Sequence, residues 1–477
     1  MTSIRTRFAP SPTGFLHVGG IRTALFAYLV ARQNNGKFIL RLEDTDKVRE
    51  VEGSAQHIID SLTALGIDYD EGLDKPGNYG PYRQSDRLDI YRKWAKKLIE
   101  QGRAYADPYT SEQVQKFREQ AQAEKRAFLY RDHRPENPPE WDGTTPLRFK
   151  SDPKPYKWHD EVMGDLSTGP EVIDDFILIK SDGYPTYNFA HIVDDAEMEI
   201  THVIRGQEFI SSQPNYLNLY EALGLEMPIF ATMPHIMAEQ GNKKLGKRDG
   251  AKDVLDYIRD GYLPETLVSF IASLGWNDGT TKETFTMQEL IDGFSLDRVQ
   301  KSGARFDEKR LLWMNGHFIR ELSIEELESR VADFWPSSSA DADADLKRRI
   351  LELAQGRLKL LTDLSQLTSY FFEKPMPDWD LVRNNKQLKK LSDEDKANLL
   401  KDTCEALNQV EDWTAESIQE ALNKLLETTG QKPGVLFSLI RIVTTWAPFS
   451  PELPATLEIL GKRTTISRIQ KSAQDLH

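Results

Sequence analysis

The sequence predicts an α/β first half and an all-helical second half, with an α+β segment inserted into the first. Two patterns carry this prediction. From residue 1 to about 80, short apolar strands alternate with helical stripes, the rhythm of βαβ units that build a parallel sheet. From about residue 253 onward, helical stripes recur with no run of alternating strands.

Residues 4–9 read as a short buried strand, and Ile21, Ala24, Leu25, Tyr28 and Leu29 recur behind it at helical spacing. The Pro- and Gly-rich stretch between them is a strand-to-helix turn. A second strand spans Phe38 to Leu42, and Ile58, Ile59, Leu62 and Leu65 mark the next helix. From about 109 to 186 the rhythm is interrupted by a Lys/Glu/Gln-rich helix, the Pro-rich stretch Pro135 to Pro146 and several short strands, which reads as an insertion. The βα pattern resumes at Tyr187 and runs into a basic loop at Lys243. Beyond it, Leu263, Leu267, Phe270, Ile271 and Leu274 form an apolar helical stripe, and similar stripes run through 346–372 and 415–443. Pro336 to Asp345 reads as a small, exposed, low-complexity connector. No internal repeat is visible.

A chain of 477 residues exceeds a single core and suggests three or more domains. One cysteine, Cys404, excludes an intrachain disulfide framework and fits a reducing compartment. No apolar run approaches the roughly 18 residues of a membrane span, and the N-terminus lacks a secretory signal, so a cytoplasmic location is expected. The net charge of −14 argues against indiscriminate coating of nucleic acid. RNA binding would need local basic patches, and these occur at Lys243 to Lys252, at Lys301, Arg305, Lys309 and Arg310, and at Lys462, Arg463, Arg468 and Lys471. Judged alone, each reads as a solvated face.

Two segments carry chemistry. The turn Phe8-Ala-Pro-Ser-Pro-Thr-Gly-Phe-Leu-His-Val-Gly-Gly20 enters a helix, where Gly19 and Gly20 let backbone N–H groups approach an anion and His17 adds a donor. The plainer alternative is a sharp loop with a solvent-facing histidine. Lys243, Lys244, Lys247 and Arg248 crowd a loop with Gly241 and Gly246, which could close over a triphosphate and neutralise charge at phosphorus.

The pair resembles the HIGH and KMSKS signatures of class I aminoacyl-tRNA synthetases, as His17-Val-Gly-Gly20 and Lys244-Leu-Gly-Lys-Arg248. Ala9-Pro-Ser-Pro-Thr-Gly14, Arg41-Leu-Glu-Asp-Thr-Asp46, Gly80-Pro-Tyr-Arg-Gln-Ser85, Ser181-Asp-Gly-Tyr-Pro-Thr-Tyr187, Val203-Ile-Arg-Gly-Gln-Glu208 and Arg310-Leu-Leu-Trp-Met-Asn315 are similar to the bacterial-type glutamyl-tRNA synthetases. The resemblance implies a Rossmann-like catalytic domain at 1–108 and 187–252, interrupted by an acceptor-end-binding domain at 109–186. A stem-contact helical domain at 253–322 and anticodon-binding helical domains at 323–375 and 376–477 would follow.

A glutamate pocket needs two well-placed cations and an acceptor. The resemblance assigns the carboxylates to Arg7 and Arg205, the ammonium to Glu43, and further contacts to Ala9, Ser11, Tyr187 and His191. Glu43 as a helix N-cap neighbour, and Arg7 and Arg205 as strand-end surface charges, are the plainer readings. ATP falls to Thr13, His17, Gly19, Gly20, Glu208, Leu245 and Lys247, with His17, Lys244 and Lys247 catalytic.

The chain departs from the family pattern in places. His191 stands where Asn or a small polar residue is common; it could bind carboxylate and make binding pH-sensitive near 6.5, or simply be a packing histidine. Gly246 replaces a usual Ser. Where many relatives hold zinc through Cys and His, this chain has Ala106-Asp-Pro-Tyr109 and Tyr130-Arg-Asp-His133, so no structural zinc is expected and His133 reads as a lone surface residue. Mg²⁺ is expected to arrive on the ATP phosphates.

The mechanism implied has two steps. The glutamate α-carboxylate attacks the α-phosphate of ATP and pyrophosphate leaves; the adenylate then acylates the 2′-hydroxyl of the terminal adenosine of tRNA(Glu). The resemblance further implies that tRNA is required for the first step; a monomer with no membrane partner is the expectation. Arg357 matches the arginine that reads the third anticodon base and rejects tRNA(Gln), although an alignment shifted by one would place Gly356 there. Arg441, Thr445, Ser450 and Pro451 match the last anticodon-contacting stretch, with Trp446 where Gly is common. A non-discriminating enzyme charging both tRNAs is the alternative. A glutaminyl-tRNA synthetase, a shortened glutamyl transferase that modifies a tRNA base, and an inactive RNA-binding paralogue fit the residues less well.

Overall fold

The computed structural model describes residues 3–241, 243–246, 252–447 and 450–476. The chain forms two compact units, Met1–Tyr257 with Leu267–Asp307, and Ile258–Thr266 with Glu308–His477. No helix among the described residues is long and apolar enough to cross a membrane.

In the first unit, β1 (Arg5–Phe8), α1 (Val18–Gln33), β2 (Lys37–Leu40), α2 (Ser54–Ala64) and α3 (Leu88–Glu100) are followed by β3 (Ala104–Ala106), α4 (Ser111–Ala123) and β4 (Leu147–Phe149). Next come β5 (Tyr156–Asp160), β6 (Gly164–Thr168), β7 (Ile177–Ile179), α5 (Tyr187–Glu197), β8 (His202–Gly206), α6 (Gln213–Leu223), β9 (Ile229–Met233) and β10 (Ile236–Met237). The unit continues through α7 (Val254–Arg259) and β11 (Ala304–Arg305).

The main sheet has six strands in the order β2-β1-β8-β9-β5-β6. β1 pairs in parallel with β2 on one side and β8 on the other, so the strand order reverses beside β1. That reversal opens a crevice at the carboxyl ends of the strands, where such sheets bind ligands. β1 reads Arg-Thr-Arg-Phe yet is buried throughout, because each polar side chain finds a partner. Thr6 Oγ1 donates to Ala27 O at 2.7 Å, Arg5 pairs with Glu71 at 2.9 Å, and Arg7 pairs with Asp195 at 3.0 Å. On α1, Ile21, Ala24, Leu25, Tyr28 and Leu29 all turn inward, as their spacing predicts.

The interrupting segment is not self-contained. β3, β4 and β7 form their own antiparallel sheet, but the β5–β6 hairpin adds to the main sheet through β9. Asp160 pins it: its buried carboxylate accepts from Val162 N (3.0 Å), Met163 N (2.9 Å), Thr232 N (3.0 Å) and Thr232 Oγ1 (2.6 Å). One apolar core runs from Ile39 through Phe149 and Ile179 to Phe189 and Phe230, so sheet and insert share it.

The second unit is helical. Leu263, Ile319, Leu327, Leu351 and Leu364 build one core. Leu400, Cys404, Leu422, Leu439 and Ile469 belong to another, formed by helices Asp393–Asn408, Ala415–Thr429, Pro433–Thr445 and Lys462–Asp475. Buried Asn315 ties three segments, accepting from Leu263 N at 2.8 Å and donating to Lys359 O at 2.6 Å and Gly261 O at 3.3 Å. The stretch from Pro336 to Asp345 is exposed at six of its ten residues, as expected of a connector, but it is held by specific local structure. Pro336 and Ser339 are buried, Ser337–Ser339 makes a 3-10 turn, and Asp343 caps helix Ala344–Gln355 by accepting from Leu346 N at 3.3 Å. Its small polar residues serve turn and cap rather than solvation.

Candidate active site and a basic pocket in the helical unit

His17 is the N-cap of α1: Gly19 N donates to His17 Nδ1 at 3.1 Å. With Nδ1 accepting, the ring proton of the neutral imidazole sits on Nε2, on an exposed side chain at the positive end of the helix. Capping and anion binding are therefore compatible roles. Neither glycine has positive φ; a Cβ at Gly20 would lie 2.6 Å from Leu16 Cδ1 and one at Gly19 would lie 3.2 Å from the His17 ring. A side chain at either position would have to displace Leu16 or the His17 ring. Thr13 is exposed on the loop before the helix, with Thr13 N donating to Ser11 O at 2.8 Å.

At the strand ends lies an alternating chain of charges. Arg7 grips Asp195 with Nε and Nη2, at 3.0 and 3.2 Å. Asp195 Oδ1 also takes Arg41 Nη1 at 2.7 Å, and Arg41 Nη2 reaches Glu43 Oε1 at 3.1 Å. All four residues are buried. Burial pushes the Asp195 carboxyl up, but Arg7 and Arg41 outweigh it and hold it well below the usual range. For Glu43 burial wins over Arg41 and Arg7, and its pKa is pushed up to about 7. Arg41 and Asp195, which frame the site, were not among the expected site residues; the Asp194-Asp195 pair inside an otherwise apolar helix face was the available signal. No helix begins after Glu43 until Ser54, so the N-cap reading fails. Glu43 N donates to Pro10 O at 3.0 Å, which brings half-buried Ala9 and exposed Ser11 beside it.

Arg205, at the end of β8, is different from Arg7. It has no carboxylate partner among the described residues. Its guanidinium sits 5.0 Å from the Tyr216 ring centroid and 5.3 Å from that of Phe209, and it donates to Gln213. An arginine in an aromatic box keeps its full charge for a ligand. Neither arginine is a surface charge. Half-buried Tyr187 has Glu43 and Arg205 as electrostatic neighbours, and burial raises its hydroxyl pKa.

His191 corrects an expectation. It is buried, its ring stacks 4.6 Å from that of Tyr187, and its Nδ1–H donates to Tyr187 O at 2.7 Å. Burial, then Arg205, pushes its pKa down to about 3. It stays neutral near pH 6.5 and cannot make binding pH-sensitive there.

The ascending stem of the basic loop extends β10. Leu245 N donates to Ile236 O at 2.8 Å, Ala238 N donates to Lys243 O at 3.0 Å, and Arg305 on β11 donates to Gly241 O at 2.7 Å. Lys244 is exposed on this stem, and half-buried Gly246 follows it. Lys244 helps burial lower the pKa of His235, whose Nδ1 is 3.8 Å from Glu208 Oε2, so Lys244 and Glu208 face one space. Lys247 and Arg248 lie outside the described residues.

In the insert, the expected zinc-ligand positions hold other chemistry. Asp107 accepts from Arg148 Nη2 at 2.7 Å and from Tyr130 Oη at 2.6 Å, all buried. His133 is no lone surface residue: it is half-buried with its ring 4.1 Å from that of Phe117, parallel to within 7°. Among the described residues no group of three or more His, Cys, Asp or Glu is arranged to hold a metal.

In the second unit, Arg357, Lys359, Asp363, Gln366, Leu367, Arg441 and Ser450 line a cavity of about 480 Å³. Arg441 Nε donates to Ser450 Oγ at 2.9 Å, and Ser450 Oγ donates to Pro451 O at 3.2 Å. Burial, then the charge of Arg357, lowers the pKa of Arg441, as expected of two cations crowded into one cavity. Gly356 is the C-cap of helix Ala344–Gln355, and the next residue, Arg357, lines the cavity. Thr445 is buried; its hydroxyl donates to Arg441 O at 2.8 Å and accepts from Ala447 N at 3.3 Å, holding the helix end. Trp446 takes φ 45°, the left-handed region that favours glycine, and its ring packs against Trp379 at 4.9 Å.

The family model described as tRNA synthetases class I (E and Q), catalytic domain, matches residues 3–313, and an anticodon binding domain matches residues 325–473. The chain is 40% identical over 476 residues to the glutamate–tRNA ligase of Clostridium botulinum strain Hall, covering 98% of this chain and 97% of that one. It is 38% identical over 482 residues to that of Clostridium acetobutylicum, covering 99% of each. Among solved structures, a glutamate tRNA ligase from Elizabethkingia meningosepticum in complex with its amino acid superposes with a TM-score of 0.89 at 33% identity, over 100% of both chains.

Proposed function

This chain belongs to the class I tRNA synthetases of the E and Q type, and from that membership we propose that it is a glutamate–tRNA ligase. It activates L-glutamate with ATP and transfers it to the 2′-hydroxyl of the terminal adenosine of tRNA(Glu). The observation that carries this reading is the convergence of Arg7, Glu43 and Arg205 at the carboxyl ends of β1, β2 and β8, beside a helix capped by His17.

Arg205 takes a substrate carboxylate with a charge that pairs with no carboxylate among the described residues, and Tyr187, Ala9 and Ser11 complete the pocket. Arg7 acts from within its bidentate pair with Asp195, which fixes the fork and shares its charge. Glu43 takes the ammonium. With its pKa near 7, it becomes fully anionic as the cation arrives. ATP lies over the first turn of α1, with the amide of Gly20 and the Nε2–H of His17 toward its phosphates, Gly19 leaving room beside the ring to which its own amide donates, and Thr13, Glu208 and Leu245 around the nucleoside. The glutamate α-carboxylate attacks the α-phosphorus; charge developing there is stabilised by His17, Lys244 and Lys247 as pyrophosphate departs. Mg²⁺ supplies charge neutralisation when it accompanies the phosphates, and no protein ligand is assigned to it. tRNA binds first. Its acceptor end is met by the insert at 109–186 and its stem by residues 253–322.

We also propose that the enzyme discriminates against tRNA(Gln). Arg357 reads the third anticodon base from the cavity it shares with Arg441, Ser450 and Gln366, a contact worth about 1–3 kcal/mol, or roughly tenfold to a hundredfold. The test is charging of tRNA(Glu) and tRNA(Gln) transcripts with radiolabelled glutamate, by wild type and by Arg357→Gln. Charging of tRNA(Glu) alone, relaxed by the substitution, supports the reading. Charging of both by wild type makes the enzyme non-discriminating, and charging of neither rejects the ligase.

A further inference from the structure

The two segments assigned to ATP are joined by a residue that belongs to neither. His57, on α2, accepts from Leu16 N at Nδ1 (3.3 Å), one residue before His17. Its opposite nitrogen, Nε2, lies 3.4 Å from Oδ1 of Asp253, on the descending stem of the basic loop. The Phe15 ring stacks on the imidazole at 4.5 Å and 17°. Ser61 Oγ donates to the His57 carbonyl at 2.7 Å and stands 3.4 Å from Nδ1. The same two segments also meet through their backbones: His17 and Asp253 form an antiparallel bridge, and Val254 N donates to Leu16 O at 3.3 Å. Asp253 in turn caps α7 by accepting from Asp256 N at 2.9 Å.

We propose that His57 is a positioning residue for glutamate activation, holding the descending stem of the basic loop in register with the His17 turn. The inference rests on the proposed reading that both segments serve ATP. With Nδ1 accepting from Leu16, the ring proton lies on Nε2 and faces Asp253, so one tautomer is oriented toward both segments. The 3.4 Å separation is long for a hydrogen bond. The loop's cations act on the phosphorus in the transition state, so a loosened stem costs kcat rather than glutamate affinity.

The test uses tRNA-dependent ATP–pyrophosphate exchange by the full-length enzyme. His57→Phe keeps a ring for Phe15 and removes both polar contacts; His57→Gln keeps an acceptor and a donor. His57→Phe is expected to lower kcat about tenfold, with glutamate KM within about twofold and Tm unchanged within about 2 °C. His57→Gln should recover most of the loss. Asp253→Ser, which keeps a helix cap but not the anion, should match His57→Phe, and the double variant should lose no more than either alone. Wild-type kcat in His57→Phe, full additivity in the double variant, or a kcat loss that follows Tm and is not recovered by Gln overturns the proposal. A wild-type enzyme with no exchange overturns the ligase reading itself, and this inference with it.

Discussion

The two arginines at the strand ends differ in what a substitution removes. Arg7→Lys breaks the fork on buried Asp195 and leaves part of that carboxylate unmet, so it should lower stability by about 3–5 kcal/mol, read as a fall in Tm. Arg205→Lys breaks no ion pair with the described residues, and should instead raise glutamate KM about 30-fold while leaving ATP KM within about twofold in the exchange assay. The titrating groups give a second contrast. His191 has a folded pKa of about 3 against 6.5 unfolded, so below pH 6.5 the unfolded chain binds a proton that the native one refuses. Its contribution is full above pH 6.5 and lost as pH falls. The stability advantage of wild type over His191→Asn should therefore shrink by about 1 kcal/mol between pH 6.5 and 5.5, in denaturant titrations at the two pH values. Glu43 has the opposite sign, since its folded pKa of about 7 exceeds the 4.5 of the unfolded state and protonation on acidification stabilises the fold. The same protonation weakens ammonium binding, so glutamate KM should rise below pH 7 in wild type and in His191→Asn alike. Arg7, Arg205 and Glu43 could be named from the sequence because the resemblance to the family implies them. Their pairings were hidden, since Asp195 lies 188 residues from Arg7 and no local pattern reports that contact.

Helices were the elements most legible in the chain, because a 3.6-residue stripe is a local signal: α1, α2 and the helices from Pro264 onward carry the inward residues the pattern names. The β5–β6 hairpin was not legible as part of the main sheet. Its attachment depends on the pairing of Asp160 with Phe230, a register between distant segments. Asp160→Ala removes four accepted hydrogen bonds and leaves two buried backbone donors on β9 and the turn to find new partners, with an expected loss of about 2–4 kcal/mol. Limited proteolysis should then cut between β5 and β6, and hydrogen exchange at Thr232 should accelerate. At the end of helix Pro433–Thr445, the family's usual glycine has a physical reason in the φ of 45° that Trp446 adopts. Trp446→Gly should be about 1 kcal/mol more stable than Trp446→Ala by chemical denaturation, the reverse of ordinary helix propensity.

For the molecule as a whole, charge decides how RNA is met. A protein of net charge −14 repels a polyanion at long range, so the proposed function requires tRNA to be met at local basic sites, the role proposed for the Arg357–Arg441 cavity. Raising salt from about 50 to 200 mM should increase tRNA KM at least tenfold and leave glutamate KM nearly unchanged, because only the former releases condensed counterions. The α/β-then-helical plan was readable from the order of its periodicities, and the family from its motif blocks. The division of residues 258–266 and 267–307 between the two units was not, since it depends on which core each helix face joins. One cysteine in 477 residues sits inside the last helical core, 5% exposed, its thiol pushed up to about 11 by burial and Glu405. Alkylating reagents attack the thiolate, so the folded chain presents them almost nothing. Labelling at Cys404 therefore becomes a clock for the opening of that bundle alone, readable by intact mass without an added probe, and able to report whether bound tRNA slows it.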